Sequence, residues 1–229
     1  MVNKMDIVGC LSGKTAEECK KQIKKAVEQG ATMVELRIDY LEKFDGVQEI
    51  IQSSPVPLIV TFRRKENGGL FEGNEKLRIE TLNQAIKSGA DYVDIELDAK
   101  DINQVIKTAK ENNCQVIVSQ HDFNSTPEIK TMQKWLVQAS KLGDIVKIVP
   151  KANSTEDAEK VIILLEIARQ LNIPIVSFAM GEKGKNTRAL SLVFGSKWTY
   201  CSIDNAVGPG QVSIKEMKEV LKDNVKPKN

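Results

Sequence analysis

The chain has a single histidine, so a zinc site built from imidazoles has too few ligands to draw on. Its four cysteines, Cys10, Cys19, Cys114 and Cys201, are widely spaced and form no C-x-x-C pair. In a chain of 229 residues they read as reduced thiols, and the expected compartment is the cytoplasm. No apolar run approaches the roughly 20 residues of a membrane span. The N-terminal MVNKMDIVGCL is too short in its apolar part for a signal peptide. Strong charge asymmetry is also missing. The net charge is +2 and the lysines are scattered, so neither nucleic acid nor an anionic membrane is expected as a partner. No linker rich in Pro, Gly or Ser divides the chain, which is expected to form one domain over 1–229.

What remains is an ordinary globular composition, 41% hydrophobic and 28% charged. Short apolar runs alternate with longer amphipathic ones. The runs predict strands over 6–11, 32–38, 58–62, 92–97, 115–119, 145–149, 175–179 and 198–202. Helices are expected over 15–29, 47–52, 74–88, 101–112, from Thr126-Pro127 to about 141, from Ser154 or Thr155 to 171, and over 188–194 and 213–223. Gly30, Gly89 and Gly143 stand where helices end. About eight strand–helix units in one chain fit a closed (β/α)8 TIM barrel. The rival is an open doubly wound sheet. It usually carries a G-x-G-x-x-G turn after its first strand, and here only Ser12-Gly13 follows.

Ionisable residues sit inside several strands. Glu35, Arg37 and Asp39 alternate with Val34, Leu36 and Ile38, and Asp94 and Glu96 alternate with Val93, Ile95 and Leu97. Side chains alternate faces along a strand, so each set of charges shares one face. A half-exposed antiparallel strand would explain this by solvation. In a parallel barrel both faces are covered, and the charges must pair with each other or with a ligand.

Lys147 lies in Ile145-Val146-Lys147-Ile148-Val149. It either snorkels from the strand end or is a desolvated amine. Burial and nearby cations favour the neutral form, which can attack a carbonyl. His121 follows the fifth strand and Lys147 lies on the sixth, and neighbouring strands are about 4.8 Å apart. Arg63 and Arg188 are candidate anion binders, because a guanidinium donates two parallel hydrogen bonds to a carboxylate. The loop over 180–186, MGEKGKN, reads as a flexible connection or a lid.

The segments VELRID, TFRRKENGG, DYVDIEL, VSQHDF, VKIVP, the loop from Met180 to Arg188, VFGS and GPGQ follow one another along nearly the whole chain. In this order the chain resembles type I 3-dehydroquinate dehydratase, the Schiff-base class. The resemblance implies a TIM-barrel lyase acting on 3-dehydroquinate in the shikimate pathway, with no cofactor and as a homodimer. It implies that Lys147 forms the imine, that His121 is general acid and base, and that Glu66 hydrogen-bonds and orients His121. Glu35, Arg37 and Arg63 would contact the substrate and the polar wall, Arg188 its carboxylate, and Gln211 would close the site, with Met180 among the contacts. Asp94 and Glu96 would set the environment of the lysine. Three positions depart from the family pattern: Val207 replaces a hydroxyl residue, Phe178 the first methionine of M-x-M, and Cys10 a serine.

Two other classes share parts of this pattern. A class I aldolase uses the same barrel and imine but needs a phosphate site near the last strands, where GPGQ could cradle an anion. A non-catalytic barrel would need neither Lys147 nor His121.

Overall fold

Parallel strands cannot be joined by a tight turn, so each apolar run needs a crossover that returns the chain to the same end of the sheet. The computed structural model describes residues 5–204, 208 and 210–224, and shows eight strands, each followed by a helix. The strands are β1 (Asp6–Leu11), β2 (Met33–Arg37), β3 (Leu58–Thr61), β4 (Tyr92–Glu96), β5 (Gln115–Asp122), β6 (Ile145–Pro150), β7 (Ile175–Ser177) and β8 (Trp198–Ser202). The crossovers and the closing helix are α1 (Ala16–Gln29), α2 (Val47–Gln52), α3 (Glu75–Lys87), α4 (Ile102–Glu111), α5 (Ile129–Ala139), α6 (Thr155–Gln170), α7 (Thr187–Val193) and α8 (Ile214–Asn224).

All strand pairs are parallel, in the order β7-β6-β5-β4-β3-β2-β1-β8. The remaining seam lies between β7 and β8. Lys197 N donates to Ile175 O across it at 2.9 Å, so the sheet is a nearly closed (β/α)8 barrel. Among the described residues, no helix is long and apolar enough to cross a membrane.

Local chemistry sets the ends of the elements. Thr15 caps α1 by accepting from Glu18 N at 3.3 Å, and Gly30 ends it at φ 101°, a left-handed conformation that favours glycine. Asn74 and Ser154 cap α3 and α6 in the same way.

Strand alternation divides the core in two. Val34, Leu36, Val60, Val93, Ile95, Val118, Val146 and Ile148 pack outward against the helices. Val8, Met33, Ile59, Ile117, Ile145 and Trp198 fill the inside of the barrel in an apolar cluster. Above that floor, toward the C-terminal ends of the strands, the next interior positions carry Glu35, Thr61, Asp94, Ser119 and Lys147, all buried. The charged faces therefore point inward, as the alternation predicts.

The strands differ from expectation mainly at their C-terminal ends. Chain 38–40 leaves β2 as a short 3-10 turn, because Asp39 folds back to pair with Arg37. Strand β5 runs three residues further than the apolar pattern suggests, because it stays paired with β6 through His121↔Val149 and Asp122↔Pro150.

Candidate active site

Lys147 projects from the middle of β6 into the barrel and is 5% exposed. Its Nζ donates to Asp94 Oδ2 at 2.9 Å and stands 3.7 Å from Glu35 Oε1. The ammonium also lies 4.1 Å from the centre of the Tyr200 ring. The nearest charges are thus carboxylates. Arg63 is present, but beyond Asp94: it grips Asp94 Oδ1 at 2.6 Å. Burial alone would raise the Asp94 carboxyl, but Arg63 and then Lys147 outweigh it and hold it well below the usual carboxylate range.

Register carries His121 to the same place. Ser119 pairs with Lys147 across β5 and β6, and His121 is the next interior position toward the barrel mouth. The two side chains line one cavity, together with Glu35, Arg37, Arg63 and Arg188. The imidazole is half-buried and stacks on Phe123, with ring centres 5.9 Å apart and planes 14° from parallel. Burial, then the Arg63 and Lys147 cations, push it well below the usual histidine value, so it rests neutral. Its Nδ1 is buried without a hydrogen-bond partner among the described residues.

Glu66 does not fill that vacancy. It is exposed on the 3-10 turn Lys65–Asn67 and faces a groove shared with Arg64, Phe71 and Glu75, outside the barrel mouth. Successive side chains on so tight a turn diverge, and it is the neighbour, Asn67, that enters the cavity. The Asn67 Oδ1 is likewise buried with no partner among the described residues. The turn is seated by Gly68, at φ 77°, where a Cβ would overlap the Phe123 ring.

The other charges of the polar layer are already matched. Arg37 binds both oxygens of Asp39, at 2.9 and 2.6 Å, and borders the cavity over the Tyr40 ring. Arg63 donates to Ser119 Oγ at 2.8 Å and stands 3.1 Å from Glu96 Oε1. That last contact lacks hydrogen-bond alignment. Glu35 accepts from Thr61 Oγ1 at 2.9 Å. Glu96 is buried in the barrel wall and accepts from Arg78 at 2.8 Å. Nothing in the sequence singles out Arg78 as part of this layer. It is fully buried on α3, and nothing in the local pattern of that helix named its partner.

Arg188 differs from the other arginines. It donates to the carbonyls of Gly210 at 2.8 Å and Tyr200 at 3.3 Å, and lies 4.3 Å from the Phe178 ring centre. Burial pushes its pKa down to about 10. A buried guanidinium at the rim of the cavity is suited to an incoming carboxylate. Met180 lines the cavity below it and pairs with Lys151 where the 180–186 loop begins. Gly210 closes against this loop: a Cβ there would stand 2.6 Å from Gly181 O. Gln211 Nε2 donates to Cys10 Sγ at 3.2 Å inside the cavity. Val207 lies outside the described residues. Among the described residues, no group of three or more His, Cys, Asp or Glu is arranged to hold a metal ion.

The chain is 37% identical over 221 residues to a 3-dehydroquinate dehydratase of Methanopyrus kandleri, covering 94% of this chain and 98% of that one. The crystal structure of 3-dehydroquinate dehydratase from Aquifex aeolicus superposes with a TM-score of 0.84 at 33% identity, over 97% of this chain and 100% of the other. A type I enzyme from Clostridium difficile, solved with covalently modified comenic acid, gives 0.89 at 26% identity, over 100% and 96%. Fold and relatives together define a hydro-lyase built on a (β/α)8 barrel. The chain belongs to the type I 3-dehydroquinase family, whose model matches residues 7–225.

Proposed function

We propose that Lys147 condenses with the ketone of 3-dehydroquinate, and that His121 moves the protons of the ensuing dehydration to 3-dehydroshikimate. The observation that carries this is the shared cavity: a buried amine on β6 and a neutral imidazole on β5 face the same space.

The chemistry follows from what each group can hold. Before attack, the Lys147 ammonium must lose a proton. Asp94 is a poor acceptor because its cationic neighbours keep it ionised, whereas the neutral His121 can take it. The amine then adds to the carbonyl, and His121 returns its proton to the hydroxyl of the adduct, which leaves as water to give a protonated imine and a neutral imidazole. That cation withdraws electrons better than the ketone did, so the proton on the adjacent carbon becomes removable. His121 takes this proton and an enamine forms. The enamine expels the β-hydroxyl, which leaves as water with a proton from His121. Hydrolysis of the conjugated imine frees the product and regenerates Lys147. One imidazole serves as base and acid in turn.

Binding away from the reacting carbons supplies orientation. In this reading Arg188 clamps the substrate carboxylate, with Glu35, Arg37, Arg63, Gln211 and Met180 around the ring. Asp94 and Glu96 set the field at the amine. Asn67, rather than Glu66, is the residue of that turn that lines the cavity with His121, and its unpartnered amide oxygen is the acceptor we assign to Nδ1 on substrate binding, which would leave Nε2 as the working nitrogen. The family resemblance extends the proposal to a homodimer in the cytoplasm. Turnover with 3-dehydroquinate tests the reaction. A conjugated enone should appear in the ultraviolet without release of an aldehyde, the product expected of an aldolase.

A further inference from the structure

Lys147 is the inner end of a run of buried charges that crosses the barrel wall. Lys147 Nζ binds Asp94 Oδ2 at 2.9 Å, and Asp94 Oδ1 binds Arg63 at 2.6 Å. Arg63 stands 3.1 Å from Glu96 Oε1, and Glu96 Oε2 accepts from Arg78 Nη1 at 2.8 Å. Arg78 Nη1 also donates to Phe62 O at 2.8 Å, and its other nitrogens bind Glu75 at 2.7 and 2.8 Å. Arg78 has no exposed surface, while the side chain of Glu75, at the first turn of α3, is 26% exposed. The sign of charge alternates at every step from the solvent to the amine.

We propose that Arg78 is a positioning residue for the reaction: from outside the barrel it sets how firmly Asp94 holds the Lys147 amine. Each carboxylate in the run divides its attraction between two cations. Arg78 and Arg63 share Glu96, and Arg63 in turn is shared between Glu96 and Asp94. Without Arg78, Glu96 draws Arg63 more strongly. Asp94 then loses part of Arg63 and holds the lysine ammonium more tightly. The amine surrenders its proton at higher pH, and imine formation at neutral pH slows. Direct Coulomb interaction has the same sign, because removing a positive charge stabilises a neighbouring ammonium. The other charged or titratable groups on the cavity shared with Lys147 are Cys10 from β1, Glu35 and Arg37 from β2, His121 from β5, Arg188 from α7 and Tyr200 from β8. Neither Arg78 nor Glu75 lines the cavity, so a change at either acts on the amine without touching substrate.

This inference rests on Lys147 as the imine-forming residue, and its test separates the two. The full-length enzyme and the variants Arg78→Met and Glu75→Gln are mixed with 3-dehydroquinate and borohydride across a pH series. The rate of adduct formation on Lys147 is read by mass spectrometry. Arg78→Met should move the rising limb of that profile alkaline by roughly half a pH unit, about a threefold slower trapping at a given pH on the limb. Its KM should change less than its kcat. Glu75→Gln removes the competing anion at the solvent end and should move the limb the opposite way. A purely structural role would lower the melting temperature and leave both profiles in place. If Arg78→Met does not fold, the direction of the Glu75→Gln shift decides. Profiles that coincide with wild type, or shifts of the same sign in both variants, overturn the role of Arg78. A wild-type enzyme that gives no adduct on Lys147 overturns the lysine assignment, and this inference with it.

Discussion

Asp94 accepts from Lys147 at 2.9 Å with one carboxylate oxygen while Arg63 and Ser119 occupy the other. The lysine of the site therefore starts as half of an ion pair inside a wall that exposes almost none of it. Such a pair is expensive to break from one side, because the remaining charge is left buried without a counter-ion.

Replacing Asp94 with Asn keeps the shape and removes the charge. Lys147 and Arg63 are then left facing one another. The variant should lose about 3 kcal/mol of unfolding free energy in urea titrations. Its imine formation should reach half-maximum at lower pH than wild type, since the ammonium then keeps the more distant Glu35, at 3.7 Å, in place of its hydrogen-bonded counter-ion. A more stable variant, or an alkaline shift, would contradict the assigned role.

Asn67→Ala should lower kcat by about tenfold with KM little changed, the loss expected of one orienting hydrogen bond. Asn67→Asp should place a carboxylate beside the imidazole. His121 would then protonate at higher pH, and the acid limb of kcat should move alkaline. Steady-state kinetics over a pH series read both effects.

The same imidazole makes stability depend on pH. Burial and the Arg63 and Lys147 cations keep the folded His121 below its usual value, so the unfolded chain binds the proton first as pH falls. The stabilising contribution is complete above the unfolded value, about 6.5, and drains away below it until the folded imidazole titrates. The slope is at most about 1.4 kcal/mol per pH unit. Asp94, also depressed, adds a loss of the same sign that begins lower, near 4. His121→Gln should flatten the loss between about pH 6.5 and 5 in denaturant melts and leave the lower one.

Arg188→Ala should raise KM roughly 100-fold, the loss of a charge-assisted contact to the substrate carboxylate. Since Arg188 also ties Gly210 and Tyr200 backbone carbonyls, Arg188→Lys should recover only part of the affinity.

The barrel and its polar layer were legible because they depend on short periods. The alternation in 34–39 and 93–97 gives the inward face directly, and the apolar runs give the strands. What lay beyond the sequence depends on partners distant along the chain. The end of β5 at Asp122 is set by its pairing with β6, not by its own residues. Which of Glu66 and Asn67 turns inward is set by a 3-10 turn seated against Phe123. Arg78 occupies an ordinary position on an amphipathic helix, and only the fold shows that Glu96 lies beneath it. Asp39 reads as a strand residue until the chain turns and returns it to Arg37.

The most direct measurement is reductive capture. Incubation with 3-dehydroquinate and borohydride, followed by proteolysis and mass mapping, should attach the reduced ligand to Lys147 and abolish turnover in step with the adduct. Lys147→Ala should give neither adduct nor activity. A ligand found on any other lysine, or a Lys147→Ala enzyme that still dehydrates its substrate, would contradict the account.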